Sequence, residues 1–245
     1  MQIEGNVFVV TGAGSGLGAA SARMLAQRGG IVVGFDLSAG QGDGFDIWPV
    51  DCAEEAQIVA AMDKVVAEKG PLKGVVHCAG IVKTHKLIDP DTGTPYPTEL
   101  FRRTLDVNLT GTFLILREAA LRMRHNEPTA DGERGVVVNT ASIAGLDGSS
   151  SIGYAASKGG VISMLLTGAR DLGPFGIRVT AIAPGYMETA MFSGLAPEYR
   201  ERLQAQNVFP KRLAEPAEFA ALACEMITNV FINATVYRLD AGTRN

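Results

Sequence analysis

The sequence predicts an α/β fold, a doubly wound parallel sheet of about seven strands with helices on both faces, and three observations carry that reading. Short β-branched runs alternate with segments of helical period along the chain. The strand-like runs are continuously apolar, as strands are when both faces of a sheet are covered. The 245 residues, 47% apolar and 20% charged, are enough for one core of this kind. Residues 1–245 are therefore expected to form a single domain.

Val7–Thr11 reads as the opening strand, Leu17–Gln27 as the first helix and Ile31–Phe35 as the second strand. From Asp36 to Asp46 glycines recur, and the stretch reads as a shortened connection where a helix is common. Asp46–Val50 is a weaker strand candidate, followed by a helix over Glu54–Glu68 and a strand over Gly74–His77. Asp89–Thr98 carries Pro90, Gly93, Pro95 and Pro97 and reads as a loop, either a solvated insertion or a border of the substrate or of a neighbouring subunit. A long helix over Glu99–Met123, a strand over Val136–Asn139 and a helix over Gly153–Leu172 come next. Arg178–Ile182 and Val236–Leu239 read as the last strands, separated by a helix over Pro216–Met226 whose proline suits a first turn.

Composition excludes several function classes. A net charge of −4 without a basic run gives no electrostatic footprint for nucleic acid or an anionic membrane. Cys52, Cys78 and Cys224 are odd in number and have no Cys-x-x-Cys or histidine-rich partner, so no metal site and a reducing compartment are expected. No apolar run reaches the ~18 to 20 residues of a membrane span. No targeting peptide is visible, which points to the cytoplasm.

In doubly wound sheets ligands bind beyond the carboxyl ends of the strands, so the residues after each strand are read for chemistry. Thr11-Gly12-Ala13-Gly14-Ser15-Gly16-Leu17-Gly18 follows the first strand and opens a helix. Glycines there let the backbone approach a pyrophosphate, which the free N–H groups of a helix N-terminus favour. The spacing is not the Gly-x-Gly-x-x-Gly dinucleotide fingerprint, because Leu17 stands where its third glycine would be. Asp36 ends the second strand, placed to accept hydrogen bonds from ribose hydroxyls and to repel a 2′-phosphate, so NAD is expected over NADP. Asp51 is placed to take the adenine amino group, and the small residues Cys78, Ala79 and Gly80 let a nucleotide lie against the backbone.

Tyr154 and Lys158 are four residues apart on a helical segment and so share one face, ~6 Å apart along the axis. A nearby ammonium favours phenolate and is expected to lower the tyrosine pKa toward the range of acid-base work. Ser142, just past a strand, would emerge at the same sheet edge and orient a carbonyl. Asn108 interrupts the apolar Val107 and Leu109 in a long helix, where a buried amide needs partners.

With these motifs in order, the chain resembles the short-chain dehydrogenase/reductases over essentially its whole length, with their Rossmann-type sheet. The likeness rests on the Thr11–Gly18 turn, Ala79-Gly80, Val107-Asn108, Ser142, Tyr154-x3-Lys158 and Pro184-Gly185 with Thr189. It implies Tyr154 as acid-base, Lys158 lowering its pKa and binding the nicotinamide ribose, Ser142 positioning the reacting oxygen and Asn108 holding a relay water. Thr189 and the turn Pro184–Met187 would seat the nicotinamide amide. Phrases such as Leu105-Asp106-Val107-Asn108-Leu109, Asn139-Thr140-Ala141-Ser142 and Arg238-Leu239-Asp240 are similar to the type-2 3-hydroxyacyl-CoA dehydrogenase subgroup. That likeness implies NAD lined by Ser15, Leu17, Asp36, Asp51, Cys52, Cys78 and Met187, a homotetramer, and a secondary alcohol substrate, an acyl-CoA first among them. The alternatives are a 3-oxoacyl carrier-protein reductase, a hydroxysteroid dehydrogenase, or an NAD-bound interaction subunit without catalysis. Two positions depart from the family: His77 stands where asparagine is usual, read here as a structural histidine, and the Ser142–Tyr154 interval is one residue short.

Overall fold

The β-branched runs assemble into one sheet in the computed structural model, which describes residues 1–189, 194 and 196–244. The strands are β1 (Val7–Thr11), β2 (Ile31–Asp36), β3 (Gly40–Gly42), β4 (Phe45–Pro49), β5 (Leu72–His77), β6 (Gly135–Thr140), β7 (Ile177–Pro184) and β8 (Val236–Leu239). Their spatial order is β3-β4-β2-β1-β5-β6-β7-β8, with every pairing parallel except β3 with β4. The helices are α1 (Gly16–Gln27), α2 (Glu55–Lys69), α3 (Thr98–Leu105), α4 (Gly111–Met123), α5 (Ala144–Asp147), α6 (Ile152–Leu172), α7 (Pro197–Gln206) and α8 (Pro216–Thr228). The doubly wound α/β sheet read from the sequence is the fold observed, with eight strands rather than about seven.

Both faces of the central strands are covered, which is why their sequences lack polar alternation. All eight residues of β7 are buried. Val9, Phe35, Val75 and Val137 pack with Ile58 of α2, Ile115 of α4 and Leu165 of α6, while Phe8, Val76, Val138 and Ile182 pack on the other face with Leu25 of α1 and Phe219 of α8. Arg178 of β7 lies in the second layer's rim, where it bonds Glu133 at 2.6 Å and donates to the carbonyls of Met226, Ile227 and Ile232. One buried guanidinium thus satisfies two of the carbonyls in the last turn of α8, those of Met226 and Ile227.

Three local expectations are corrected. The Asp36–Asp46 connection contains the short antiparallel strand β3 on the sheet edge. The long helix over Glu99–Met123 is broken into α3 and α4 by a π-helical turn, Asp106–Thr110. Helix α7 and the one-turn α5 form where the sequence pattern predicts no element. The proline-rich Asp89–Thr98 loop closes on itself through an Ile88–Pro95 bridge. It brings the Tyr96 hydroxyl to 2.9 Å from where a Cβ on Gly153 would lie, so Tyr96 abuts the start of α6 while most of the loop lies exposed. Among the described residues no helix is long and apolar enough to cross a membrane.

Candidate active site

The carboxyl ends of the strands open into a cleft of about 1150 Å³, above the ~300–1,000 Å³ usual for one small ligand. The loop between β1 and α1 forms its floor. Gly12 and Gly16 hold φ of +65° and +53°, a region that β-carbon-bearing residues avoid. A Cβ on Gly18 would lie 2.1 Å from the Gly12 carbonyl oxygen, so helix and turn meet backbone on backbone. Ser15 caps α1 without a side-chain bond, which leaves the first-turn N–H groups for an anion.

Asp36 ends β2 with its carboxylate fixed. Oδ2 accepts the Gly14 N–H and Oδ1 the Leu37 N–H, each at 2.8 Å. Gly14 must be glycine for this, because a Cβ there would stand 2.9 Å from Oδ2. Asp51 accepts the Ala53 N–H at 2.9 Å and pairs with Arg103 at 3.6 Å. A glycine cradle, an uncapped helix end and a fixed carboxylate at the strand edge fit the pyrophosphate and ribose of a dinucleotide. Cys52 and Cys78 line the cleft as thiols: burial, with Asp51 and Asp36 adding, pushes Cys52 up to about 12, and burial pushes Cys78 up to about 11. Neither is a nucleophile near neutrality.

Thr11 organises the turn after β5. Its Oγ1 accepts the N–H of Cys78 at 3.1 Å and of Ala79 at 3.0 Å, which uses both lone pairs. Its own hydrogen therefore goes to His77 Nδ1, 2.7 Å away. That assigns the remaining imidazole proton to Nε2, which is buried without a partner, as is Oδ1 of Asn139, the residue beside His77 on β6. Burial, and then Lys158, push the His77 pKa down to about 3, so it is a neutral structural histidine.

Tyr154 and Lys158 lie on the first turns of α6, as their spacing requires. The Lys158 ammonium is 4% exposed, donates to the Thr140 carbonyl at 2.6 Å and sits 6.0 Å from the Tyr154 ring centroid. Burial brings its pKa down to about 8. For Tyr154 the outcome differs from the expectation: burial raises its pKa, and the hydrogen bond from Ser142, rather than Lys158, works against the rise. The ammonium is engaged by the Thr140 carbonyl at the end of β6, with the Tyr154 ring centroid 6.0 Å away.

Ser142 Oγ accepts the Ala144 N–H at 3.1 Å, which leaves its hydrogen for the Tyr154 oxygen. Asn108 lies in the π-helical turn, fully buried. Its Oδ1 accepts the Ile81 N–H at 2.8 Å, and its Nδ2 donates to the Ile81 carbonyl at 2.8 Å and to Ser157 Oγ at 3.1 Å. The amide thus ties the loop after β5 to α6, while the Asn108 backbone carbonyl takes the Thr112 hydroxyl. Ala79, Gly80, Pro184, Gly185, Met187 and Thr189 also line the cleft, Thr189 meeting Gly16 closely.

The structure adds groups that the sequence reading missed. The Thr140 carbonyl and the Thr11 hydroxyl act through the backbone and leave no side-chain motif. Arg103, Tyr186, Tyr199, Arg202 and Arg244 line the same cleft. Only the unread helical character of Pro197–Gln206 would have pointed to two of them. Among the described residues no group of three or more His, Cys, Asp or Glu is placed to hold a metal ion.

A family model described as short chain dehydrogenase matches residues 6–200. The chain is 40% identical over 252 residues to 3-hydroxyacyl-CoA dehydrogenase type-2 of Homo sapiens, covering 99% of this chain and 97% of that protein. It is 32% identical over 251 residues to ipsdienol dehydrogenase of Ips pini, covering 100% and 99%. The crystal structure of 3-hydroxyacyl-CoA dehydrogenase type-2 from Mycobacterium avium superposes with a TM-score of 0.91 at 36% identity, covering 98% of this chain and 96% of that one.

Proposed function

This chain belongs to the short-chain dehydrogenase family, and on that premise we propose that it is an NAD-dependent oxidoreductase interconverting 3-hydroxyacyl-CoA and 3-oxoacyl-CoA. The observation that carries the reading is the convergence of Ser142, Tyr154 and Lys158 on one end of a cleft whose other end is built for a dinucleotide. Relatives named for this substrate match the chain end to end.

NAD, when bound, supplies the hydride acceptor for alcohol oxidation and the donor for ketone reduction. The protein's work is to manage the proton and the charge on oxygen. Tyr154 takes the hydroxyl proton in oxidation and returns it in reduction. Ser142, with its oxygen fixed by Ala144 N–H, holds the reacting oxygen against Tyr154. Donors aimed at the developing alkoxide stabilise the transition state more than the ground state. Lys158 holds the nicotinamide ribose and places a positive charge behind the phenol. Asn108 fixes Ile81 and Ser157 and holds the water of a proton relay. Asp36 accepts the adenosine ribose hydroxyls and turns away a 2′-phosphate.

The reading places the enzyme in fatty acid metabolism in the cytoplasm, as one catalytic domain over residues 1–245. It works as a homotetramer, supported by the half-exposed Phe113 and Leu121 of α4, Leu166 of α6 and Phe175 just beyond it. A panel of 3-hydroxyacyl-CoA, steroid and simple secondary alcohols, each run with NAD and NADP, tests substrate and cofactor together. Tyr154→Phe is expected to lower turnover on the best substrate by ~10²- to 10⁴-fold while NADH still binds. Retained turnover would refute the assigned role.

A further inference from the structure

Two guanidinium groups at the substrate end of the cleft have no part in the proton chemistry above. Arg202, on α7, and Arg244, beyond β8, both line the cleft. The helix that carries Arg202 is tied to Tyr186 through Gln206, and Arg244 is linked through Asp240 and Arg238 to Asp147, on the short helix that follows Ser142.

The carboxylates around this rim are already engaged. Asp147 takes two bonds from Arg238, at 2.8 and 2.6 Å, and Glu188 is paired with Arg200. Asp240 Oδ2 is held by Arg238 Nε at 2.6 Å; Arg244 Nη1 reaches it at 3.3 Å and donates to the Thr243 carbonyl at 2.6 Å, both through the same nitrogen. Arg202 pairs with no carboxylate among the described residues. Instead its guanidinium lies 4.6 Å from the centroid of the Tyr199 ring. Stacked in this way, a guanidinium keeps its N–H fork available for phosphate oxygens. Its charge is felt in the cleft, where it works against the upward push of burial on the Tyr186 phenol. In a chain of net charge −4 the rim is thus locally cationic.

We infer that Arg202 and Arg244 bind the phosphates of a coenzyme A carrier at the cleft mouth and so select an acyl group on coenzyme A over the same group on an uncharged carrier. The inference rests on the 3-hydroxyacyl reading for its substrate, and its test separates the two. A neutral alcohol has nothing for these groups to hold, so they are specificity residues of the acyl-CoA reaction.

The test uses the enzyme saturated with NADH, so that the adenine nucleotide part of the carrier cannot take the cofactor's place. 3-Oxobutyryl-CoA and 3-oxobutyryl-pantetheine are compared in wild type, Arg202→Gln, Arg244→Gln and the double variant. The ratio of kcat/KM for the coenzyme A ester over the pantetheine ester is expected to fall roughly tenfold in the double variant, carried by KM, and to fall in wild type as salt is added. Arg202→Lys is expected to recover part of the ratio. A ratio unchanged in the double variant overturns the inference. Should wild type reduce neither ester, the functional reading fails, and binding of desulfo-coenzyme A by calorimetry decides the rest. Weaker binding in the double variant then upholds the phosphate rim, and equal or absent binding in both proteins overturns it.

Discussion

Replacing His77 by asparagine isolates the acid sensitivity of one buried ring. The folded ring is held near pKa 3 by burial and Lys158, against 6.5 for a free imidazole. Because the folded value is the depressed one, the unfolded chain takes up a proton that the native state refuses. Stability is fully present above about pH 6.5 and is lost as pH falls toward 3. On moving from about pH 7.5 to about pH 5 the unfolded ring becomes almost wholly protonated and the folded ring does not, a loss of about 2 kcal/mol. Asparagine does not titrate, and its Oδ1 can accept the Thr11 hydrogen that Nδ1 now accepts. Urea unfolding of wild type and His77→Asn at both pH values is the assay. Wild type is expected to lose about 2 kcal/mol more than the variant, since every carboxylate contributes alike in both proteins. Parallel pH dependence in the two would mean that His77 is not held neutral by the fold, and the hydrogen-bond assignment around Thr11 would fall with it.

Three further outcomes follow from the cleft. Lys158, held down at about 8, loses its charge through that pH, so the rate of ketone reduction should decline above about pH 8. In Lys158→Arg, which stays charged, that limb should move upward, and a limb fixed near pH 8 in the variant would show that another group sets it. Asp36→Ala removes the fixed carboxylate and is expected to cut kcat/KM for NAD by ~10- to 100-fold, narrowing or reversing the preference over NADP in parallel assays. Gly18→Ala would drive a Cβ to 2.1 Å from the Gly12 carbonyl, where only backbone can yield. A loss of about 3 kcal/mol in unfolding free energy, or of NADH binding by fluorescence, is expected.

The parts of the site that the sequence displays are those fixed by local geometry. Tyr154 and Lys158 share a face because helical spacing alone puts them there, and Asp36 and Ser142 stand at strand ends that apolar runs mark out. What was hidden depends on partners distant in sequence. Lys158 is bound by the Thr140 backbone carbonyl, and Asn108 by Ile81 and Ser157, none of which carries a motif. The direction of the Tyr154 shift turns on burial, which a spacing rule does not contain. The same limit applies to the fold. Gly40–Gly42 has no apolar residue to mark it as a strand, and α7 buries only Leu203, so neither leaves a periodic trace.

The π-helical turn at Asp106–Thr110 adds a residue to what would otherwise be one continuous rod. Each residue of an α-helix turns it by about 100°, so the extra one lets the segments before and after it face different ways. The portion carrying Leu114, Ile115 and Met123 keeps its grip on the sheet while Asn108 turns toward Ile81 and α6. Anchoring and chemistry thereby fall to different faces of a single element.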